Sequence, residues 1–169
     1  GSIVHHVLNY RMTNLQAAVG FAQVDGFLEA AVTRRREMGR LYTKILSEKL
    51  SAKTVRLPDD KDALGNENIY WVYMLEILAP EVSAEECMKA LGERKVGTRP
   101  CFWPMHLQPV FLEESSRWFQ AGFAGSKFPN AERLANKTFY LPSGLGMTDG
   151  DVALVCERVE DAFKELGLL

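Results

Sequence analysis

Two short stretches of this chain concentrate residues that could hold a small anionic ligand. The first is Asn9-Tyr10-Arg11-Met12-Thr13-Asn14, followed at once by Leu15 and Gln16. A hydroxyl at Thr13 with an amide three residues later at Gln16 has the form of a capping box, so a helix starts here. A helix N-terminus offers unpaired N–H groups and the positive end of the helix dipole. Arg11 adds a planar fork suited to phosphate, and Asn9 adds an amide donor. On this chemistry alone, a turn, a surface arginine and a cap is the plainer reading. The second stretch is Gly97-Thr98-Arg99-Pro100-Cys101-Phe102-Trp103-Pro104-Met105-His106-Leu107-Gln108-Pro109. Its prolines stiffen a loop, its aromatics offer stacking surfaces, and Arg99 and His106 can hydrogen-bond a polar ligand. Two readings stay open for it: a binding loop, or an irregular core plug with His106 satisfied by backbone.

The other chemically capable residues point to structure. Cys87, Cys101 and Cys156 are widely spaced with no CxxC pair, which suits reduced thiols in a cytoplasmic protein, packed as small apolar residues. His5 and His6 are adjacent, and adjacent side chains diverge, so they read as a surface or packing pair and not as metal ligands. The basic run Arg34-Arg35-Arg36 reads as a solvated helix face.

Several elements must position these residues. Leu15, Ala18, Val19 and Ala22 recur at helical spacing after the Thr13 cap, on a face of small residues that another element could approach closely. The period resumes through Phe27, Leu28, Ala31, Met38, Leu41, Ile45 and Leu46 in a long second helix. A polar loop with Pro58 and Gly65 follows a possible short strand at Thr54–Leu57. Asn68 to Leu78 is rich in β-formers and reads as the clearest strand. Ser83 to Glu86 is a second capping box, opening a helix that stops before Gly97. Thr98 to Phe102 should be extended, since Pro100 disfavours helix at Arg99. Loops with one short helix near Leu112–Gln120 come next, then a helix over Asn130–Asn136, a strand at Thr138–Leu141 and a last helix from Thr148 or Asp149. This order predicts an α+β layer with helices packed on a small, mainly antiparallel sheet.

Composition excludes several classes. The 169 residues are 47% hydrophobic and 25% charged, ordinary for a folded domain, so disorder is not expected over most of the length. The net charge of −2 gives no footprint for nucleic acid or an anionic membrane. No apolar run approaches the roughly 20 residues that span a bilayer. Gly1-Ser2 reads as the remnant of a removed tag, with native sequence from about Ile3.

Residues 9–20, running from Asn9 through Gln16 to Gly20, resemble the N-Y-R-M-T-N-L-Q-A-A-hydrophobic-G signature of DegT/DnrJ/EryC1/StrS-type sugar aminotransferases, the perosamine synthetase-like enzymes. The Gly97–Pro109 run resembles that family's G-T-R-P-aromatic-aromatic-P-hydrophobic-H-L-Q-P loop. The strand at Tyr70–Met74, Leu141-Pro142-Ser143-Gly144 and the acidic helix after Thr148 match more weakly, in the right order. The resemblance implies the C-terminal small domain of the aspartate-aminotransferase (fold type I) fold, with long N-terminal helices. It assigns residues 3–26 to a phosphate loop and interface helix that would dock on a large domain, and 27–169 to the small domain. It also implies a cytoplasmic homodimer that binds pyridoxal 5′-phosphate (PLP) and moves an amino group from glutamate onto a nucleotide-linked keto-sugar. By the same resemblance Asn9 and Arg11 would reach the partner subunit's cofactor phosphate. Arg99, Phe102, Trp103 and His106 would help line the sugar-nucleotide pocket. The lysine that forms the Schiff base belongs to an S-x-x-K stretch before a G-E-G-G run, upstream of the N-Y-R signature. None of the nine lysines here has such surroundings, so no catalytic residue is assigned and the isolated chain is expected to be inactive. The alternative is a non-catalytic relic that dimerises or binds ligand without chemistry.

Overall fold

A computed structural model describes residues 11–116, 118–119, 121–123 and 125–169. Three of its helices begin at capping boxes. Thr13 caps α1 (Asn14–Gly26), Ser83 caps α3 (Ala84–Glu93) and Thr148 caps α6 (Asp149–Glu165), each hydroxyl paired with the backbone N–H three residues on. In α3 and α6 the partner is an acid, Glu86 or Asp151, and the hydrogen bonds from the capping residue hold each carboxyl below its ordinary pKa. The other helices are α2 (Leu28–Lys49), a short α4 (Pro109–Leu112) and α5 (Pro129–Lys137).

Four strands, β1 (Val55–Arg56), β2 (Tyr73–Ile77), β3 (Arg99–Pro100) and β4 (Thr138–Leu141), form one antiparallel sheet in the order β1-β2-β4-β3. Period-2 alternation divides its faces. Tyr73, Leu75 and Ile77 of β2, with Phe139 and Leu141 of β4, enter the core. There they meet Met38, Tyr42 and Leu46 of α2, Leu91 of α3, and Val152, Val159 and Phe163 of α6. Each fully buried side chain of this size contributes roughly 1.5–3 kcal/mol. The buried phenols are satisfied: Tyr42 donates to the Pro142 carbonyl at 2.9 Å, and Tyr73 shares a 2.8 Å bond with Thr43. Glu76 points to the opposite face and is buried, where Arg56 of β1 (2.9 Å) and Arg133 of α5 bracket its carboxylate. Lys137 ties the turn before α3 to the end of α5, donating to the carbonyls of Ala79, Pro80 and Val82. Among the described residues no helix is long and apolar enough to cross a membrane, and no cluster of His, Cys, Asp and Glu could hold a metal. His5 and His6 lie outside the described residues.

Three sequence expectations are corrected. The strand read over Asn68–Leu78 begins only at Tyr73. Asn68 Oδ1 accepts the Tyr70 N–H at 2.8 Å, and Tyr70 has φ of 48°, so a local side-chain turn takes the backbone out of the ladder despite its β-forming residues. The short helix expected near Leu112–Gln120 lies earlier, at Pro109–Leu112, because Pro109 presets its first turn and Glu113-Glu114 meet the negative end of the dipole. The arginine run is not a solvated face. Arg34 bonds Asp149 (2.7 Å) and the Met147 carbonyl (2.6 Å), Arg35 reaches three loop carbonyls, and Arg36 pairs with Glu67 at 3.0 Å. Successive helix positions diverge by about 100°, so one run tethers three different segments.

Cys87 and Cys156 are buried, and burial pushes both thiols up to about 12, while Cys101 is half-buried. Titration of the folded chain with an aromatic disulfide reagent should therefore release one rapid equivalent, from Cys101. All three should react in denaturant, and fast reaction of a second thiol in the fold would contradict this packing.

Candidate functional site

The proline-rich loop starts as a sheet edge. Arg99 pairs with Tyr140 and Pro100 with Phe139, and the Cys101 N–H donates to the Thr138 carbonyl at 3.2 Å. The loop then closes on itself. Trp103 Nε1 donates to the Leu107 carbonyl (3.3 Å), Gln108 Nε2 donates to the Trp103 carbonyl (3.2 Å), and Pro104 opens a tight 3-10 turn over Met105–Leu107. This leaves Phe102 and Trp103 on the outside, 65% and 48% exposed, with Arg99 exposed beside them.

His106 turns the other way and is only 4% exposed. Its Nε2 lies 3.0 Å from Glu132 Oε1, and its ring meets Phe128 edge-on at 4.7 Å. The Phe128 N–H also donates to Glu132 Oε1, and that bond, helped by His106, holds the carboxyl below its ordinary pKa. An ionised Glu132 only accepts, so the network assigns the proton to Nε2 of His106. The loop that was expected to help line the sugar-nucleotide pocket thus carries His106 on its inner side, where the Nε2 contact pins the loop to α5.

Arg99 lines a groove of about 320 Å³ with Gly97, Tyr140, Pro142 and Ser143. The Arg99 side chain makes no hydrogen bond or ion pair among the described residues. Two residues that sequence reading placed elsewhere complete this surface. Trp71, read as a strand residue, stacks on Phe102 with centroids 6.1 Å apart and planes 9° apart. Arg35, read as solvated, donates from Nη1 to the carbonyls of Trp71 (2.8 Å) and Ser143 (3.3 Å), with Tyr70 O at 3.5 Å. Asn68, a turn-former set within a β-rich run, was the available signal for Trp71. No local signal marks Arg35. Arg11 is exposed, two residues ahead of the Thr13 cap, and Asn9 lies outside the described residues.

A family model for the DegT/DnrJ/EryC1/StrS aminotransferases matches residues 2–160. The chain belongs to this family. Among its relatives, the GDP-perosamine synthase of Escherichia coli O157:H7 is 27% identical over 157 residues, covering 93% of this chain and 38% of the relative. The spore coat polysaccharide biosynthesis protein SpsC of Bacillus subtilis is 30% identical over 156 residues, covering 90% and 37%. The chain thus spans less than two fifths of the curated relatives' length. The aminotransferase TlmJ from Streptoalloteichus hindustanus superposes with a TM-score of 0.67 at 26% identity, covering 89% of this chain and 35% of TlmJ. The sugar aminotransferase CalS13 from Micromonospora echinospora shares the fold at a TM-score of 0.64 and 18% identity, covering 87% and 34%.

A PLP-dependent aminotransferase needs a lysine amine presented in its cofactor pocket. Here Lys49, Lys61 and Lys164 are in ion pairs, and the Glu160 carboxylate raises Lys49 above its ordinary pKa, the reverse of what a nucleophilic amine requires. Lys137 borders a cavity of about 530 Å³ near Cys101 and Trp103, but its ammonium is held by three carbonyls. Lys44, Lys53, Lys89, Lys95 and Lys127 are exposed at the surface.

Proposed function

We propose that this chain is the C-terminal part of a PLP-dependent, homodimeric enzyme that transfers an amino group from glutamate to a nucleotide-linked keto-sugar. The family match over residues 2–160 carries this reading, and the perosamine synthases among the relatives support the substrate class. Residues 27–169 form the small domain, and residues 3–26 dock on a large domain that bears the lysine. The exposure of Leu15 (82%), Val19 (62%) and Phe21 (69%) on α1, which has no buried residue, supports that docking. Asn9 and Arg11 reach the cofactor phosphate. Arg99, Phe102 and Trp103 face the sugar nucleotide, and His106 holds their loop from inside.

By itself the chain does not transaminate. Incubation with PLP, reduction with borohydride and peptide mass mapping should find no single lysine modified in preference, and glutamate with a nucleotide-linked keto-sugar should yield no amino sugar. Supplying a family large domain that bears the lysine should restore glutamate-dependent amination; no activity towards any nucleotide-linked keto-sugar in that assembly would sink the reading. The exposed apolar residues of α1 equally favour a second reading, a dimerising relic without chemistry. A stable oligomer that binds no sugar nucleotide by calorimetry selects it.

A further inference from the structure

The two edges of the sheet end differently. At one edge β3 is blunted by Pro100, which has no N–H to offer. At the other, β1 still carries open ladder groups. Leu78 donates to the Thr54 carbonyl at 2.7 Å, and the register sets Val55 opposite Ile77 and Arg56 opposite Glu76. Bonded and non-bonded pairs alternate in an antiparallel ladder, so the Val55 carbonyl and both backbone groups of Leu57 face away from β2. Leu57 makes no hydrogen bond among the described residues. The Val55 N–H is taken by the Ser51 carbonyl at 3.0 Å, which fixes where the open run begins.

Each face of the sheet adds a groove beside this edge. On the core side, a groove of about 390 Å³ lies between the end of α2 and β1, lined by Leu50, Ala52, Leu57 and Leu78. On the outer side, a smaller groove of about 160 Å³ is bordered by Arg56, Pro58, Met74 and Leu134. Arg56 is 61% exposed there, and Arg133 pairs with the same buried Glu76. Two guanidiniums share one carboxylate, which leaves a positive charge over. Side chains of a strand alternate between faces. A strand laid on β1 therefore sends one set into the apolar groove and the other set over the arginines.

We propose that the β1 edge is a docking site for an extended segment of another protein that alternates apolar and acidic residues. The segment completes the sheet as a fifth, antiparallel strand. Its backbone meets Val55 and Leu57, its apolar side chains enter the groove beside α2, and its carboxylates meet Arg56. Charge opposes a second copy of this chain in that place, because pairing β1 with β1 sets two Arg56 side chains on one face. The site lies at the opposite edge of the sheet from Arg99 and does not depend on the sugar-nucleotide reading.

Titration of the isotope-labelled full chain with the end-blocked peptide Val-Glu-Val-Glu-Val, followed by NMR, tests the proposal. The Leu57 and Ala52 amide signals should move and saturate, while the Arg99 amide stays. Methylating the backbone nitrogens of the valines, which face β1 in an antiparallel pairing, should weaken binding about fivefold or more. Lysine in place of the glutamates should weaken it by a similar factor, and more at low salt. Ala52→Glu, at an exposed position in the apolar groove, should lower affinity about tenfold with an unchanged melting curve. No movement of these amides at about 1 mM peptide overturns the proposal. So does affinity within twofold of the parent for the methylated peptide, for the lysine peptide or in Ala52→Glu. A dimer that Ala52→Glu dissolves and that excludes the peptide also overturns it, and gives the edge to a second copy.

Discussion

Replacing Gly39 with alanine should lower the stability of the fold by about 2 kcal/mol, although alanine is the better helix former by about 1 kcal/mol. Gly39 lies inside α2 and is buried. A methyl group there would stand 2.2 Å from Tyr70 Cγ and 2.5 Å from both Cδ atoms, far inside van der Waals contact. The obstacle is not the end of a flexible chain. Tyr70 is 1% exposed, its ring stacks near Tyr73, and its hydroxyl bonds Asp60, so it cannot swing aside without dismantling the turn. Burial, reinforced by the Asp60 carboxylate, also raises the Tyr70 phenol to about 12, so it stays neutral through the ordinary pH range. For a chain of this length the melting temperature should drop by about 4–8 °C. In a Tyr70→Ala background the same Gly39→Ala change should become neutral or stabilising, because the clash is gone and the propensity gain remains. A rise in melting temperature on Gly39→Ala in the parent would contradict the ring-on-glycine contact.

Arg35→Met should cost about 2 kcal/mol and, through Ser143 on the Arg99 groove, weaken nucleoside diphosphate binding. Arg35 bonds loop carbonyls from two segments far apart in sequence, and hydrogen bonds to a charged donor contribute about 1.5–3 kcal/mol. Methionine keeps the apolar stem but leaves the Trp71 and Ser143 carbonyls without this donor. Lysine should rescue only in part, since a point-charge ammonium does not reproduce the guanidinium fork. Arg36→Met is the control: its Glu67 pair is about one third exposed on both sides, so its loss should cost less than about 1 kcal/mol and leave binding unchanged. Thermal melts and GDP titrations of the three variants measure both effects. Equal behaviour of Arg35→Met and Arg36→Met would remove Arg35 from the site.

The legible parts of this protein are those whose cause is local. The caps at Thr13 and Ser83 were readable because hydroxyl and partner sit three residues apart in sequence and in the helix alike. The strand at Thr138–Leu141 and the extended Arg99-Pro100 pair followed from β-propensity and from proline. The candidate loop was marked by its crowding of proline and aromatic residues. The inward orientation of His106 was not legible because it depends on Glu132, 26 residues on, which no spacing within the loop reveals. The arginine run was misread because charge on a helix says nothing of what the helix crosses.

Residues 9–20 and 97–109 were enough to place this chain among the sugar aminotransferases, and the α+β layer followed from the order of its elements. Capping, proline geometry and alternation act over a few residues, so the linear text contains them. Tertiary structure alone decided that Tyr70 would seat on Gly39, that Arg35 would hold Trp71 outside, and that His106 would face inward. Each of those outcomes is a contact between segments separated by 26 residues or more, chosen by which surfaces the closed core leaves adjacent.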